Sequence, residues 1–96
     1  MNHDYHILHS AESLPDYRVR VVFNDGVSGD ISFASDIGHG VFARIANPQE
    51  FSKVIIEQYG TVLTWDIDAP ELERPDACAD WLYQQLQLQN TQTQSQ

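Results

Sequence analysis

Three histidines near the start of the chain, His3, His6 and His9, recur at steps of three. On a helix that spacing would gather imidazoles on one face and invite a metal ion. The same segment, however, alternates Tyr5, Ile7 and His9 against His6 and Leu8, which is the period of a strand. On a strand His6 points away from His3 and His9, so the three cannot share an ion. A second constellation is acidic: Asp66, Asp68, Glu71 and Glu73. An EF-hand loop begun at Asp66 would place Glu71 where the turn needs glycine and Ala77 where the ion needs glutamate. That motif fails, and a solvated acidic loop with no metal is expected.

Nucleophiles are equally sparse. Cys78 is the single cysteine, which rules out an intramolecular disulfide and a cysteine-based zinc site. It falls among apolar residues of an expected helix and reads as packed core rather than as a reactive thiol. No Gly-rich phosphate loop, Gly-x-Ser-x-Gly elbow or His-Glu-x-x-His pair occurs. Carboxylates are plentiful, but nothing in their spacing fixes two at a working separation for acid–base chemistry. No catalytic residue and no cofactor are expected.

Composition sets the wider bounds. A chain of 96 residues is one domain's worth, large enough for one core but not for a deep cleft as well. Fourteen acidic residues against five basic ones give a formal charge of −9, a field that repels phosphate backbones and argues against direct nucleic-acid binding. The excess carboxylate either maintains solubility or forms a surface complementary to a basic protein. No apolar run approaches the roughly 20 residues a membrane helix needs. The start carries no basic and apolar leader, so a cytoplasmic location is expected.

The elements follow from periodicity. Tyr17, Val19, Val21 and Phe23 alternate with Arg18, Arg20 and Val22, and Val27, Gly29, Ile31 and Phe33 alternate with Ser28, Asp30 and Ser32. Between them lies Asn24-Asp25-Gly26, so the pair is a β-hairpin. A two-residue turn would set Phe23 against Ser28 and Val21 against Asp30, mixing apolar and polar on one face. A three-residue loop pairs Phe23 with Val27, Val19 with Ile31 and Arg20 with Asp30, and puts every apolar residue on one side. The second arrangement is predicted, with Gly26 in the left-handed conformation. Val41, Phe42 and Ile45 suit one helical turn after Gly38-His39-Gly40, and Asn47-Pro48 opens another helix. Val54-Ile55-Ile56 and Thr61-Val62-Leu63-Thr64-Trp65 form a second hairpin around Tyr59-Gly60, in either of two registers. Residues 66–76 read as a loop, and a helix from Asp76 to about Leu88 carries Cys78, Trp81, Leu82 and Leu86 as its apolar stripe. The fold class is therefore α+β: a small two-hairpin antiparallel sheet packed with one or two short helices and a C-terminal helix. Residues 1–88 are expected to form a single domain, and the Gln-rich 89–96 a disordered tail.

Aromatic residues exceed what so small a core must hold. Phe23 and Trp81 are assigned to the core. Tyr59, Trp65, Asp66, Asp68, Glu71 and Tyr83 are the candidate contact residues for a partner, either a basic protein or a second copy of the chain.

Taken in order, these pieces resemble a family of small bacterial domains of unknown function. The resemblance rests on Phe23-Asn24-Asp25-Gly26, Gly40-Val41-Phe42, Asn47-Pro48-Gln49-Glu50-Phe51, Gly60-Thr61-Val62-Leu63-Thr64-Trp65, Glu71-Leu72 and Leu82-Tyr83. It covers most of residues 5–84 and implies a compact α+β fold without known catalytic residues. Some such domains resemble the front part of proteins that end in a helix-turn-helix, for which nothing after Leu88 provides here. Others are similar to members of toxin–antitoxin pairs that sit beside a small partner. The expected function is a non-catalytic interaction module for a basic protein, antitoxin-like in character. The alternative is a small-ligand or sensory domain with a pocket between sheet and C-terminal helix.

Overall fold

The computed structural model describes residues 6–94, with the side chains of residues 90–94 left undescribed. His3 and Tyr5 lie outside the described residues. Six strands form two three-stranded antiparallel sheets: β1 (Leu8–Leu14), β2 (Arg18–Phe23) and β3 (Ser28–Ser32) in one, β4 (Val54–Glu57), β5 (Val62–Trp65) and β6 (Asp76–Cys78) in the other. Between the sheets run a 3-10 helix (Gly40–Ile45) and the single turn α1 (Pro48–Phe51); α2 (Ala79–Gln94) closes the chain. The result is the α+β class that the alternating patterns require.

The first hairpin adopts the three-residue loop. Val19 lies opposite Ile31 and Arg20 opposite Asp30, and Phe23 N–H donates to Val27 O at 2.8 Å. Gly26 sits at φ +93°, closing the turn by donating to Phe23 O at 2.9 Å. Val19, Val21, Phe23, Ile31 and Phe33 are buried on the shared face, each worth about 1.5–3 kcal/mol when withdrawn from water.

In the second hairpin the ambiguity resolves through the partner strand. Val54 lies opposite Trp65 and Ile56 opposite Leu63, so Val54 and Ile56 join the core while Ile55 lies opposite Thr64. Leu63, Thr64 and Trp65 are all buried, as befits a central strand covered on both faces. Its turn is tight: Gln58, Tyr59 and Gly60 all have positive φ (54°, 59° and 89°). Gly60 O accepts from Leu8 N–H at 2.8 Å, tying the two sheets together.

Asn47 caps α1 as expected, its side chain accepting from Gln49 N–H at 2.8 Å with Pro48 in the first turn. The C-terminal region differs from expectation at both ends. Asp76–Cys78 is not helix but a strand on β5, which needs a second neighbour to satisfy its free edge. The helix starts only at Ala79 and continues through Gln94 rather than stopping near Leu88, since no Gly or Pro interrupts a run of helix-tolerant Gln. Its buried stripe is Ala79, Leu82 and Leu86. Cys78 therefore lies on a strand and is exposed, not packed in the core. Trp81, two positions after Ala79, falls off the stripe and is 39% exposed. No described helix is long and apolar enough to cross a membrane.

Candidate functional site

The ladder positions the residues of interest. Phe33 follows β3 directly, its N–H bonded to Tyr17 O, and its own carbonyl accepts from Asp36 N–H at 2.9 Å. That turn sets Asp36 beside the 3-10 helix that carries Phe42. On the far side β6 brings Asp76, Ala77 and Cys78, and the first turn of α2 brings Trp81. Together these residues line an open cleft of about 450 Å³. The molecule is only 19 Å thick along its shortest axis, about two packed layers, so the cleft is shallow.

Its apolar lining is continuous with the core. Phe33 stacks with Phe42 at 5.7 Å between ring centroids and lies 6.5 Å from Trp81. Beneath them Trp65 meets Phe33 edge-on at 5.4 Å and Phe42 at 6.0 Å. Burial is graded along this chain of rings, from Trp65 and Phe33 inside, through half-buried Phe42, to exposed Trp81. An aromatic core that emerges at the surface beside the Asp36 carboxylate can bind an apolar stem carrying a positive head.

The electrostatics favour such a ligand. All five cationic side chains of the protein are already engaged: Arg18 and Arg20 with Asp30, Arg44 with Glu73, Lys53 with Glu50 and Arg74 with Glu57. Such solvent-accessible pairs contribute little to stability, and the loosest of them is Arg74–Glu57 at 4.0 Å, where Arg74 Nε is buried without a partner among the described residues. Among the described residues, Asp36 and Asp76 have no ion pair and no side-chain hydrogen bond. The same is true of Asp66, Asp68, Glu71 and Asp80.

The candidate contact residues chosen from sequence do not form one patch. Trp65 is fully buried, its indole N–H donating to Phe51 O at 2.8 Å, so it supports the cleft from below and cannot itself meet a partner. Tyr59 is 98% exposed at the β4–β5 turn, while Asp66 and Asp68 are exposed beyond the opposite end of β5. Glu71 is exposed in a short 3-10 turn, Glu71–Glu73. No group of three or more described His, Cys, Asp or Glu residues could hold a metal ion.

Tyr83 has a local task. Its hydroxyl donates to Asp25 Oδ2 at 2.9 Å and His6 stacks on its ring at 3.8 Å, joining the N-terminal segment, the first hairpin turn and α2. Val27 N–H and then the Tyr83 hydroxyl hold the Asp25 carboxyl below its ordinary value of 3.8. A depressed folded value means that this contribution is present above pH 3.8 and lost as the pH falls through the folded value. Asp25→Asn is expected to lower the urea midpoint at pH 6, with the gap from the parent protein closing below pH 3.8. A gap that persists unchanged at pH 2.5, roughly 1.3 pH below that ordinary value, would remove this account. Tyr83 is shifted the other way, raised above 10.0 by the same hydrogen bond.

Compared with known protein families, curated proteins and solved structures, the chain finds no match in any of the three.

Of the cleft residues, Phe33, Asp36, Phe42, Asp76 and Cys78 carried no partner-contact signal in the sequence. They come from three separate local elements, the turn after β3, the 3-10 helix and β6, and the pairing of β6 with β5 completes the cleft. A sequence cue did exist: Thr61-Val62-Leu63-Thr64-Trp65 is a continuous β-favouring run without apolar–polar alternation, the pattern of a strand covered on both faces and so of a central one.

Proposed function

We propose that this protein is a non-catalytic interaction module that holds a small basic protein, antitoxin-like in character, with the cleft at Trp81 as its docking point. The observation that carries this reading is the charge inventory. Each Lys and Arg side chain lies within 4.0 Å of a carboxylate of its own chain, while Asp36 at the exposed aromatic cleft has no ion pair among the described residues and is left for a cation from outside. The same field disfavours nucleic acid as a direct ligand. A lone cysteine suits the cytoplasm, where we place the complex.

Native mass spectrometry of the tagged protein, purified from its own host at low salt, tests the reading. The expected result is a stoichiometric small basic polypeptide that dissociates as salt rises. Its binding should also be weakened by Asp36→Asn, a substitution of a side chain that makes no hydrogen bond or ion pair among the described residues. A bare monomer or homodimer at low salt would overturn it.

A second reading has support from the cleft itself. Its volume of about 450 Å³ lies within the roughly 300–1,000 Å³ of small-molecule sites. A small amphipathic cation retained through purification would favour a sensory domain instead.

A further inference from the structure

The edge of β6 adds a second recognition element to the cleft. Ala79 N–H donates to Thr61 O at 2.8 Å, and Leu63 lies opposite Ala77. In an antiparallel ladder hydrogen-bonded pairs alternate with non-bonded ones. Ala77 therefore turns its N–H and C=O toward Leu63, and Asp76 turns both of its own groups away from β5. The neighbouring ladder agrees: Asp66 N–H donates to Lys53 O, so Thr64 bonds toward β4 and Leu63 toward β6. Cys78 N–H shares the outward direction of Asp76. The Asp76 N–H and C=O and the Cys78 N–H have no backbone partner on that side among the described residues, whereas the Cys78 C=O opens the first turn of α2; both residues are exposed. An open strand edge thus runs along a cleft lined by Phe33, Phe42 and Trp81.

We infer that the partner's basic segment binds as an extended strand added to β6, lowering one lysine side chain into the cleft. The inference rests on the reading of the protein as a module for a basic partner. Main-chain bonds to Asp76 and Cys78 hold the segment, and alternation along the added strand sends every second side chain toward the cleft. The lysine stem lies on the rings, and its ammonium meets their π faces and the Asp36 carboxylate. Because β6 offers only three residues, the strand contributes few hydrogen bonds, and the charged side chain supplies the discrimination.

Blocked pentapeptides test this directly on the full chain. Acetyl-Gly-Val-Lys-Val-Gly-amide is titrated while Trp81 emission is followed, with Trp81→Phe identifying the signal against buried Trp65. Thiol modification of Cys78 gives an independent reading of cleft occupancy. The lysine peptide is expected to quench or shift Trp81, to slow Cys78 modification, and to bind about tenfold more tightly than its norleucine counterpart. Its affinity should fall with salt and with Asp36→Asn. Methylating the main-chain nitrogens that face β6 should weaken it by about tenfold, the loss of one or two hydrogen bonds. Equal binding of the lysine and norleucine peptides, or no binding of either, overturns the inference. Insensitivity to main-chain methylation overturns the strand geometry. If a basic protein co-purifies but the peptides leave Trp81 and Cys78 unchanged, the partner docks elsewhere. In that case this inference fails while the broader reading stands.

Discussion

Trp65→Ala is expected to lower the unfolding free energy by about 3–5 kcal/mol, the cost of emptying a large aromatic site in a core. Trp65 is fully buried and touches three rings, with Phe33 at 5.4 Å, Phe51 at 5.7 Å and Phe42 at 6.0 Å. Truncation removes those contacts and also orphans the Phe51 carbonyl, which accepts the indole N–H at 2.8 Å. A domain of this size holds only about 5–15 kcal/mol in all, so the substitution removes a large fraction of the total. Trp65→Phe retains part of the volume and should cost distinctly less. Urea midpoints followed by circular dichroism decide the matter. A shift equivalent to less than about 1 kcal/mol would mean that the aromatic cluster is not the keystone of the fold.

Gly60→Ala is expected to cost about 2–4 kcal/mol, while Gly29→Ala stays within about 1 kcal/mol of the parent. Both glycines are crowded, but by different neighbours. A Cβ on Gly60 would sit 2.6 Å from Ile7 Cγ2 and 3.0 Å from the Leu8 carbonyl oxygen, at a φ of +89° that alanine adopts only with strain. The backbone there cannot give way, because Leu8 N–H is bonded to Gly60 O. At Gly29 the close atom is Leu86 Cδ2 at 2.7 Å, the tip of a side chain that can rotate. Alanine also suits a strand better than glycine does. Side-by-side denaturation of the two variants tests this, and a larger loss at Gly29 would reverse the assignment of the rigid contact.

Legibility from sequence varied with how local the cause was. The first hairpin could be read to the residue because one three-residue loop satisfied the apolar face, the Arg20–Asp30 pair and the glycine turn at once. The α1 cap at Asn47-Pro48 was legible for the same reason. The second hairpin was not, because Ile55 and Ile56 are both apolar and only burial of Leu63 and Trp65 selects Ile56 for the core. Asp76–Cys78 misled because three residues after a proline carry almost no periodicity, so a demand made by distant β5 went unseen. From that error followed the misplacement of Cys78 and Trp81, and with it the cleft. Trp65 was mistaken for a surface residue because its indole N–H finds its acceptor, Phe51 O, in a segment whose approach sequence does not reveal.

The cleft draws its walls from both halves of the chain, Phe33 and Phe42 from one and Cys78 and Trp81 from the other. An unfolded chain does not bring these walls together, so a bound partner acts as a thermodynamic clamp on the native state. At a free concentration one hundred times its dissociation constant, such a clamp adds about 2.7 kcal/mol to the unfolding free energy. That approaches what Trp65→Ala removes. Resistance of the protein to proteolysis should therefore rise with the concentration of the proposed partner, by mass action.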